Sequence, residues 1–224
     1  AAQERLGEPR PAIAYLERLS QRNPRPEILE LLAELAERAG ETETALQAWQ
    51  RLFADPALIT APRALKVAVM LLLKGRGAEG LRWLERAQAG AGLSNESDID
   101  YWRLTGQLAE LQQKDGQAIV AFRRLIDADK AEIGDYDALI RLLNMAAPLE
   151  AAQVSARAWQ QFDEPRYLIQ ALTTYISRNR WEEIGALLRA LDPAENAPRR
   201  ALRKLQQIPE FLRLAGTYQQ NIGR

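Results

Sequence analysis

The chain has no cysteine and no histidine among its 224 residues. That excludes disulfides, a thiolate nucleophile and any cysteine/histidine zinc site. It also excludes acid–base catalysis by imidazole. Neither sign of charge is in excess, with 30 lysines plus arginines against 30 aspartates plus glutamates. A general polyanion binder needs a positive surplus, so nucleic acid is not an expected partner. Long hydrophobic runs are missing too. The longest, Val67 to Leu73, falls far short of the roughly 20 residues that span a bilayer, so no direct membrane insertion is expected. Lysine is scarce, at Lys66, Lys74, Lys114, Lys130 and Lys204, and the other cations are arginine, a bias frequent in GC-rich bacterial genomes. No strand pair or hairpin signal stands out. The hydrophobic fraction of 47% and charged fraction of 27% are those of an ordinary folded chain.

What the chain does have is repetition. Leu29, Leu32, Ala33 and Ala36 form an apolar helix face; Gly40 follows as a turn, then Ala45, Trp49 and the stop Asp55-Pro56. A second copy has Trp102, Gly106, Ala109, Ala118 and Phe122, and a third has Ala68, Gly80 and Leu84. In each copy two small residues stand 12 apart: Ala33 and Ala45, Ala68 and Gly80, Gly106 and Ala118. Paired helices approach closely only where one side chain is tiny, so these residues are expected inside helix pairs. Trp49, Leu84 and Phe122, one turn later, are expected to fill the space between neighbouring pairs.

The small position of the second helix recurs through Ala12, Ala45, Gly80, Ala118, Ala151 and Ile184, in steps of 33 to 38 residues. Two copies depart from the pattern. Ser155 replaces the aromatic after Ala151, and no small residue is found at Ile184, where Asn179-Arg180-Trp181-Glu182-Glu183 starts a second helix. Prolines mark helix starts and stops at Pro24, Pro26, Pro56, Pro62, Pro148, Pro165, Pro193, Pro198 and Pro209. Ile28, Leu31, Leu32, Leu35 and Ala36 share one stripe, as do Leu104, Leu108 and Leu111. Ser97, Asp98 and Asp100 read as caps before the helix carrying Trp102. The register slips from Leu191 to Pro209, which predicts an extra helix or a long loop there.

These residues resemble the tetratricopeptide-repeat family, whose pattern is W-x2-L-G-x2-Y, then A-x3-F, then P. The resemblance runs over nearly the whole chain. It implies an all-α, right-handed α-solenoid of antiparallel helix pairs over residues 1–224, with units near 1–25, 26–60, 61–97, 98–131, 132–164, 165–207 and 208–224. Gly7-Glu8-Pro9 through Asn23-Pro24 reads as a second helix without its first. Pro209, Phe211, Leu214, Ala215 and Tyr218 read as a first helix without its second. Natural arrays end in polar capping helices, so both ends are expected to be truncated within a longer array.

Several motifs invite chemistry. Gly75-x-Gly77-x-x-Gly80 after the apolar run has the letters of a dinucleotide fingerprint, but a turn between repeat helices also explains Leu84 and Ala87 and needs no sheet. Asp98-x-Asp100, Asp127-x-Asp129 and Asp135-x-Asp137 resemble chelating pairs, yet interhelical aspartates cap helices more often. Adjacent Glu182 and Glu183 point in different directions from a helix and cannot face one substrate. Arg199, Arg200, Arg203 and Lys204 form a dense basic cluster, read as a solvated face. Asn95-Glu96-Ser97 is a glycosylation sequon by letter only. No catalytic, cofactor-binding or metal-binding residue is assigned, no cofactor is expected, and the chain is not expected to be an enzyme.

One stripe points to a partner. Glu27, Glu30, Glu34 and Glu37 lie at i, i+3, i+7 and i+10 on one helix face. In the family this chain resembles, that face of the first helix lines the concave groove where a partner lies. The equivalent positions in the next units are Leu65, Val69 and Leu72, then Asp100, Arg103, Gln107 and Glu110. A groove acidic at one end and apolar beyond suits a segment with basic and apolar residues. The expected function is a protein–protein scaffold. A weaker resemblance is to the periplasmic repeat regions of bacterial exopolysaccharide (Pel-type) export proteins. It implies a periplasmic location, a polysaccharide hydrolase or deacetylase as partner, and polysaccharide itself as a second candidate. The alternatives are a cytoplasmic adaptor for assembly or chaperoning, and a regulatory arm on an enzyme. Against an adaptor that clamps a terminal carboxylate stands the glutamate stripe.

Overall fold

The computed structural model describes residues 9–90, 95–189, 205 and 207–222. Twelve α-helices occur among these residues: α1 Pro9–Arg22, α2 Pro26–Arg38, α3 Thr42–Leu52, α4 Ala61–Leu73, α5 Gly77–Gly90, α6 Asn95–Leu111, α7 Asp115–Asp127, α8 Ile133–Ala146, α9 Pro148–Phe162, α10 Pro165–Ser177, α11 Trp181–Arg189 and α12 Pro209–Ile222. A short 3-10 turn, Pro56–Leu58, lies between α3 and α4. No strand occurs among the described residues. The all-α fold of paired helices expected from the sequence is the fold observed. The chain forms two compact units, residues 1–114 and 115–224.

Each helix begins and ends for a local reason. Proline occupies the first or second position of α2, α4, α9 and α10, where its missing N–H would have no partner anyway. The turns at the ends of α2, α4, α6, α7 and α10 share one geometry. A left-handed residue (Gly40, Gly75, Gln113, Asp129 or Asn179) follows the helix. The next amide then reaches back five residues: Glu41 to Ala36, Arg76 to Leu71, Lys114 to Ala109, Lys130 to Leu125 and Arg180 to Tyr175, at 2.8–2.9 Å. This bonding satisfies carbonyls that the helix end leaves open. Asp135 and Glu132 form a reciprocal capping box at the start of α8.

In the first unit α2 packs on α3 and α4 on α5, with α1 against α2 and α6 against both α4 and α5. The core contains Leu29, Leu32, Ala33, Ala36, Ala45, Leu46, Trp49, Leu52, Val67 and Leu71. Every small residue of the 12-residue spacing is buried. Gly80 shows the reason: a β-carbon there would meet both terminal methyls of Leu108 on α6, at 2.7 and 2.8 Å. Trp49, Leu84 and Phe122 are buried as expected. Trp49 stacks on Phe53 at 5.5 Å, and Phe53 meets Trp83 at 5.0 Å, which carries an aromatic seam from α3 to α5.

The second unit is built alike. Tyr136, Leu139, Leu143, Ala151, Ala158, Tyr167, Leu168, Ala171, Leu172 and Ile184 are buried between α8, α9, α10 and α11. Ser155, at a position that elsewhere takes an aromatic, is fully buried and donates its hydroxyl to the carbonyl of Ala151 at 2.8 Å.

Four expectations are corrected. Ala12 is exposed, because α1 meets α2 through Ile13, Leu16 and Ser20 instead. A small residue does exist in α11, one place beyond Ile184: Gly185 is buried, and a β-carbon there would collide with the hydroxyl of Tyr218 on α12. The helix carrying Trp102 begins at Asn95, so Ser97, Asp98 and Asp100 lie inside it, not before it. Leu31 and Leu111 are exposed, since the core face of α2 runs through Leu29, Leu32, Ala33 and Ala36, and that of α6 through Leu104, Leu108 and Ala109. The expected irregularity from Leu191 to Pro209 lies mostly outside the described residues, as does the cluster Arg199, Arg200, Arg203 and Lys204.

A device not anticipated from sequence joins second helices to one another. Six residues after the small position stand Arg51, Arg86, Arg124 and Arg157. Arg51 on α3 donates to the carbonyl of Ser20 at 2.7 Å and to its hydroxyl at 3.0 Å. Arg157 on α9 donates to the carbonyl of Ile126 at 2.6 Å and to Asp129 at 2.8 Å. Both reach the last turn of a preceding second helix, where a cation also meets the negative end of the helix dipole.

Substitution of Gly80 by valine is expected to cost about 2 kcal/mol, since Leu108 is fully buried and cannot swing away. Urea unfolding of the variant checks it, and an unshifted midpoint would show that α5 and α6 do not depend on this contact.

Candidate functional site

The expected partner face lies on the first helices α2, α4 and α6, all within the first unit. Its two middle glutamates are already engaged. Arg63 of α4 donates to Glu30 through two of its nitrogens, at 2.5 and 2.9 Å, and to the carbonyl of Leu58 at 3.1 Å. Lys66 of α4 pairs with Glu34 at 3.4 Å. Glu27 and Glu37 stay exposed. The stripe therefore serves in part to tie one first helix to the next.

Beyond these pairs a cleft of about 370 Å³ opens between α4 and α6, lined by Pro62, Leu65, Lys66, Val69, Asp100, Arg103, Leu104 and Gln107. Leu65 and Leu104 form its nearly buried floor, while Val69 is 40% exposed. Leu65, Val69 and Arg103, picked out from sequence, are thus brought together. Leu72 is half-buried outside the lining, and Glu110 is half-buried one turn further along α6. Pro62, Lys66 and Leu104 were missed as lining residues. Pro62 read as a helix-start signal and Leu104 as core, and nothing in the local pattern distinguishes a core wall from a cleft floor. The cleft can hold an apolar side chain against its floor while Lys66, Arg103, Asp100 and Gln107 offer polar contacts at the rim.

The second unit shows the same helix-to-helix tying in a more buried form. Tyr167 of α10 donates its hydroxyl to Asp137 of α8 at 2.8 Å, and Arg166 donates to both Asp137 and the Tyr167 oxygen at 2.9 and 2.8 Å. Gln170 donates to Asn144 at 3.3 Å. Burial, then the Asp137 carboxylate accepting its proton, push the Tyr167 hydroxyl up to about 12. Burial raises Tyr101, Tyr136 and Tyr175 in the same direction.

The tempting motifs resolve into structure. Gly75 makes the turn after α4, Gly77 opens α5, and Gly80 packs on Leu108, so the three glycines cradle no phosphate. Asp127 and Asp129 hold Arg157, Asp135 caps α8 and Asp137 holds Tyr167 and Arg166. Asp98 and Asp100 sit exposed within α6. Glu183 pairs with Arg180, whose hydrogen bond holds its carboxyl below the usual range, and Glu182 is not part of that pair. Among the described residues no group of three or more aspartates and glutamates is placed to hold a metal ion. No helix among them is long and apolar enough to cross a membrane.

The family model described as tetratricopeptide repeat matches residues 55–224. Among solved structures, a tetratricopeptide repeat protein from Parabacteroides merdae is similar at 14% identity and a TM-score of 0.47, over 95% of this chain and 79% of its own. PilW, described as a widely conserved type IV pilus biogenesis factor, is similar at 14% identity and a TM-score of 0.46, over 95% of this chain and 93% of its own. No curated protein matches the chain by sequence.

Two predictions concern these contacts. Replacing Glu30 by glutamine should cost about 0.5 kcal/mol, since the pair with Arg63 is only half-buried. A double-mutant cycle with Arg63→Gln measures the coupling, and zero coupling would remove the tie. The second concerns alkaline pH. The folded chain holds the Tyr167 proton more tightly than the unfolded chain does. Its contribution is therefore complete below pH about 10 and is lost as the pH rises from about 10 to 12, a span worth about 2 kcal/mol. Tyr167→Phe should flatten that limb of a stability-against-pH curve. An equally steep fall in the variant would assign the loss to the other tyrosines.

Proposed function

The chain belongs to the tetratricopeptide-repeat family, and from that premise we propose that it is a scaffold that docks a segment of another protein in the cleft between α4 and α6. The observation that carries the reading is the cleft itself: about 370 Å³, with the apolar floor of Leu65 and Leu104, the half-open Val69 and a rim of Lys66, Asp100, Arg103 and Gln107. A segment with one apolar anchor fits it, because desolvating that side chain supplies most of the affinity in such grooves. A basic flank finds Glu27 and Glu37, the two acids of the stripe left exposed. In this reading any reaction chemistry belongs to the partner or to another part of a larger assembly.

In its finer form the reading places this scaffold in the bacterial periplasm, docking a polysaccharide hydrolase or deacetylase during exopolysaccharide export. What supports it is the absence of cysteine, the arginine bias and the degenerate repeat. A cytoplasmic assembly adaptor, or the regulatory arm of an enzyme, would use the same cleft.

The experiment is calorimetric titration of purified hydrolase or deacetylase domains from the same organism into the chain and its Val69→Asp variant, with folding checked by circular dichroism. Val69 is exposed enough for the change to leave the core intact. Export docking predicts binding that weakens at least tenfold in the variant, about 1.4 kcal/mol or more. Binding that does not change would move the site elsewhere, and no binding by the unmodified chain would remove the export reading.

A further inference from the structure

Arg86, six residues after Gly80, departs at the α3–α5 step from the structural duty that Arg51 and Arg157 perform. Arg51 and Arg157 are spent on the end of a preceding second helix. Arg86, at the equivalent place on α5, makes no such bond among the described residues. Its guanidinium lies over the indole of Trp83, 4.6 Å from the ring centroid. At this step Phe53 and Trp83 pack ring against ring at 5.0 Å beneath it.

A pocket of about 300 Å³ opens there, lined by Gln50, Phe53, Glu79, Arg82, Trp83 and Arg86. It differs from the larger pocket of about 470 Å³ around Pro24, Pro26 and Leu58, whose arginine, Arg51, is bound to Ser20. Its charges do not cancel locally. Both carboxylate oxygens of Glu79 accept from Arg76, at 2.7 and 2.8 Å, and Arg76 also faces Glu43 at 3.5 Å. That hydrogen bond, and to a smaller extent Arg82, holds the Glu79 carboxyl below its usual range. Arg82 and Arg86 stand at i and i+4 on α5, on one side of the helix and both exposed. The pocket therefore has two guanidinium groups, an amide donor in Gln50 and an aromatic floor already roofed by one of the guanidiniums.

We propose that this pocket, on the second helices α3 and α5, is a second docking site that takes an acidic protein segment, with a carboxylate side chain held by Arg82 and Arg86 and a neighbouring apolar side chain against Phe53 and Trp83. Charge complementarity selects this occupant. Two forked cations bind a planar carboxylate in matched geometry, and Trp83 fixes one fork in place before binding, so less freedom is lost on contact. The nearby acid that would otherwise repel the ligand is occupied by Arg76. The site is separate from the α4–α6 cleft and does not depend on it.

The test uses the full chain and a capped peptide of alternating glutamate and leucine, titrated by calorimetry and followed through tryptophan fluorescence. The expected result is saturable binding at submillimolar concentration that weakens with salt. It should fall at least tenfold in a chain carrying Arg82→Gln and Arg86→Gln, and remain unaltered by Val69→Asp. Circular dichroism and thermal unfolding confirm that the arginine variants are folded. Should Arg86→Gln disturb the packing over Trp83, Arg82→Glu alone carries the same expectation. Equal affinity in the arginine variants, equal affinity for the glutamine-for-glutamate peptide, or no binding up to millimolar peptide would each overturn the proposal. Competition by an equal concentration of inorganic phosphate would overturn it in favour of a free-anion site.

Discussion

Neighbouring helices in this chain touch where one of them offers almost no side chain. Gly80 admits both methyls of Leu108, and Gly185 admits the hydroxyl of Tyr218. Ala33, Ala45, Ala68 and Ala118 are without exposed surface. Interiors packed at crystal density have no room for an added methylene at such points. The rest of the structure follows from that spacing. Once two helices stand this close, the large residues flanking the contact, such as Trp49, Leu84 and Phe122, have only the space between neighbouring pairs to fill. Repeat proteins draw their stability from such neighbour contacts because no single pair can bury its own apolar face.

Close stacking also decides what polar side chains do. First helices set side by side bring Glu30 to Arg63, Glu34 to Lys66, and Asp137 to Tyr167 and Arg166. These contacts hold neighbouring first helices in register and use up charge that looks free in the sequence. The two docking sites proposed above lie where such pairs leave open surface. On the first-helix face that is the cleft of Leu65, Val69 and Leu104. On the second-helix face it is the pair Arg82 and Arg86. In both places an apolar floor lies beside charged side chains.

Much of the fold was legible residue by residue. The 12-residue spacing located buried positions in three successive copies, because the room beside a helix is a local property that a single small letter reports. Proline marked α2, α4, α9, α10 and α12 for an equally local reason, its missing donor. The failures are as local in origin. Gln113 makes the same left-handed turn as Gly40 and Gly75, but only the glycines announce it. Gly185 escaped because the contact slid by one residue toward Tyr218, a partner 33 residues away. Ser155 stands in an aromatic position and satisfies its hydroxyl within its own helix, which no spacing rule records.

Composition and periodicity alone dictate that the chain is helical, that its helices pack at alanine and glycine, and that thiol, imidazole and long apolar-span chemistry is excluded. These follow from covalent composition and from periodicity along one helix. Which glutamates of the stripe are paired is settled by the packing of helices, because an ion pair depends on the distance between side chains that here lie 32 or 33 residues apart. Glu30 and Glu34 look identical to Glu27 and Glu37 on the helix that carries them. They differ only because Arg63 and Lys66, one helix pair further on, come within reach of the first two.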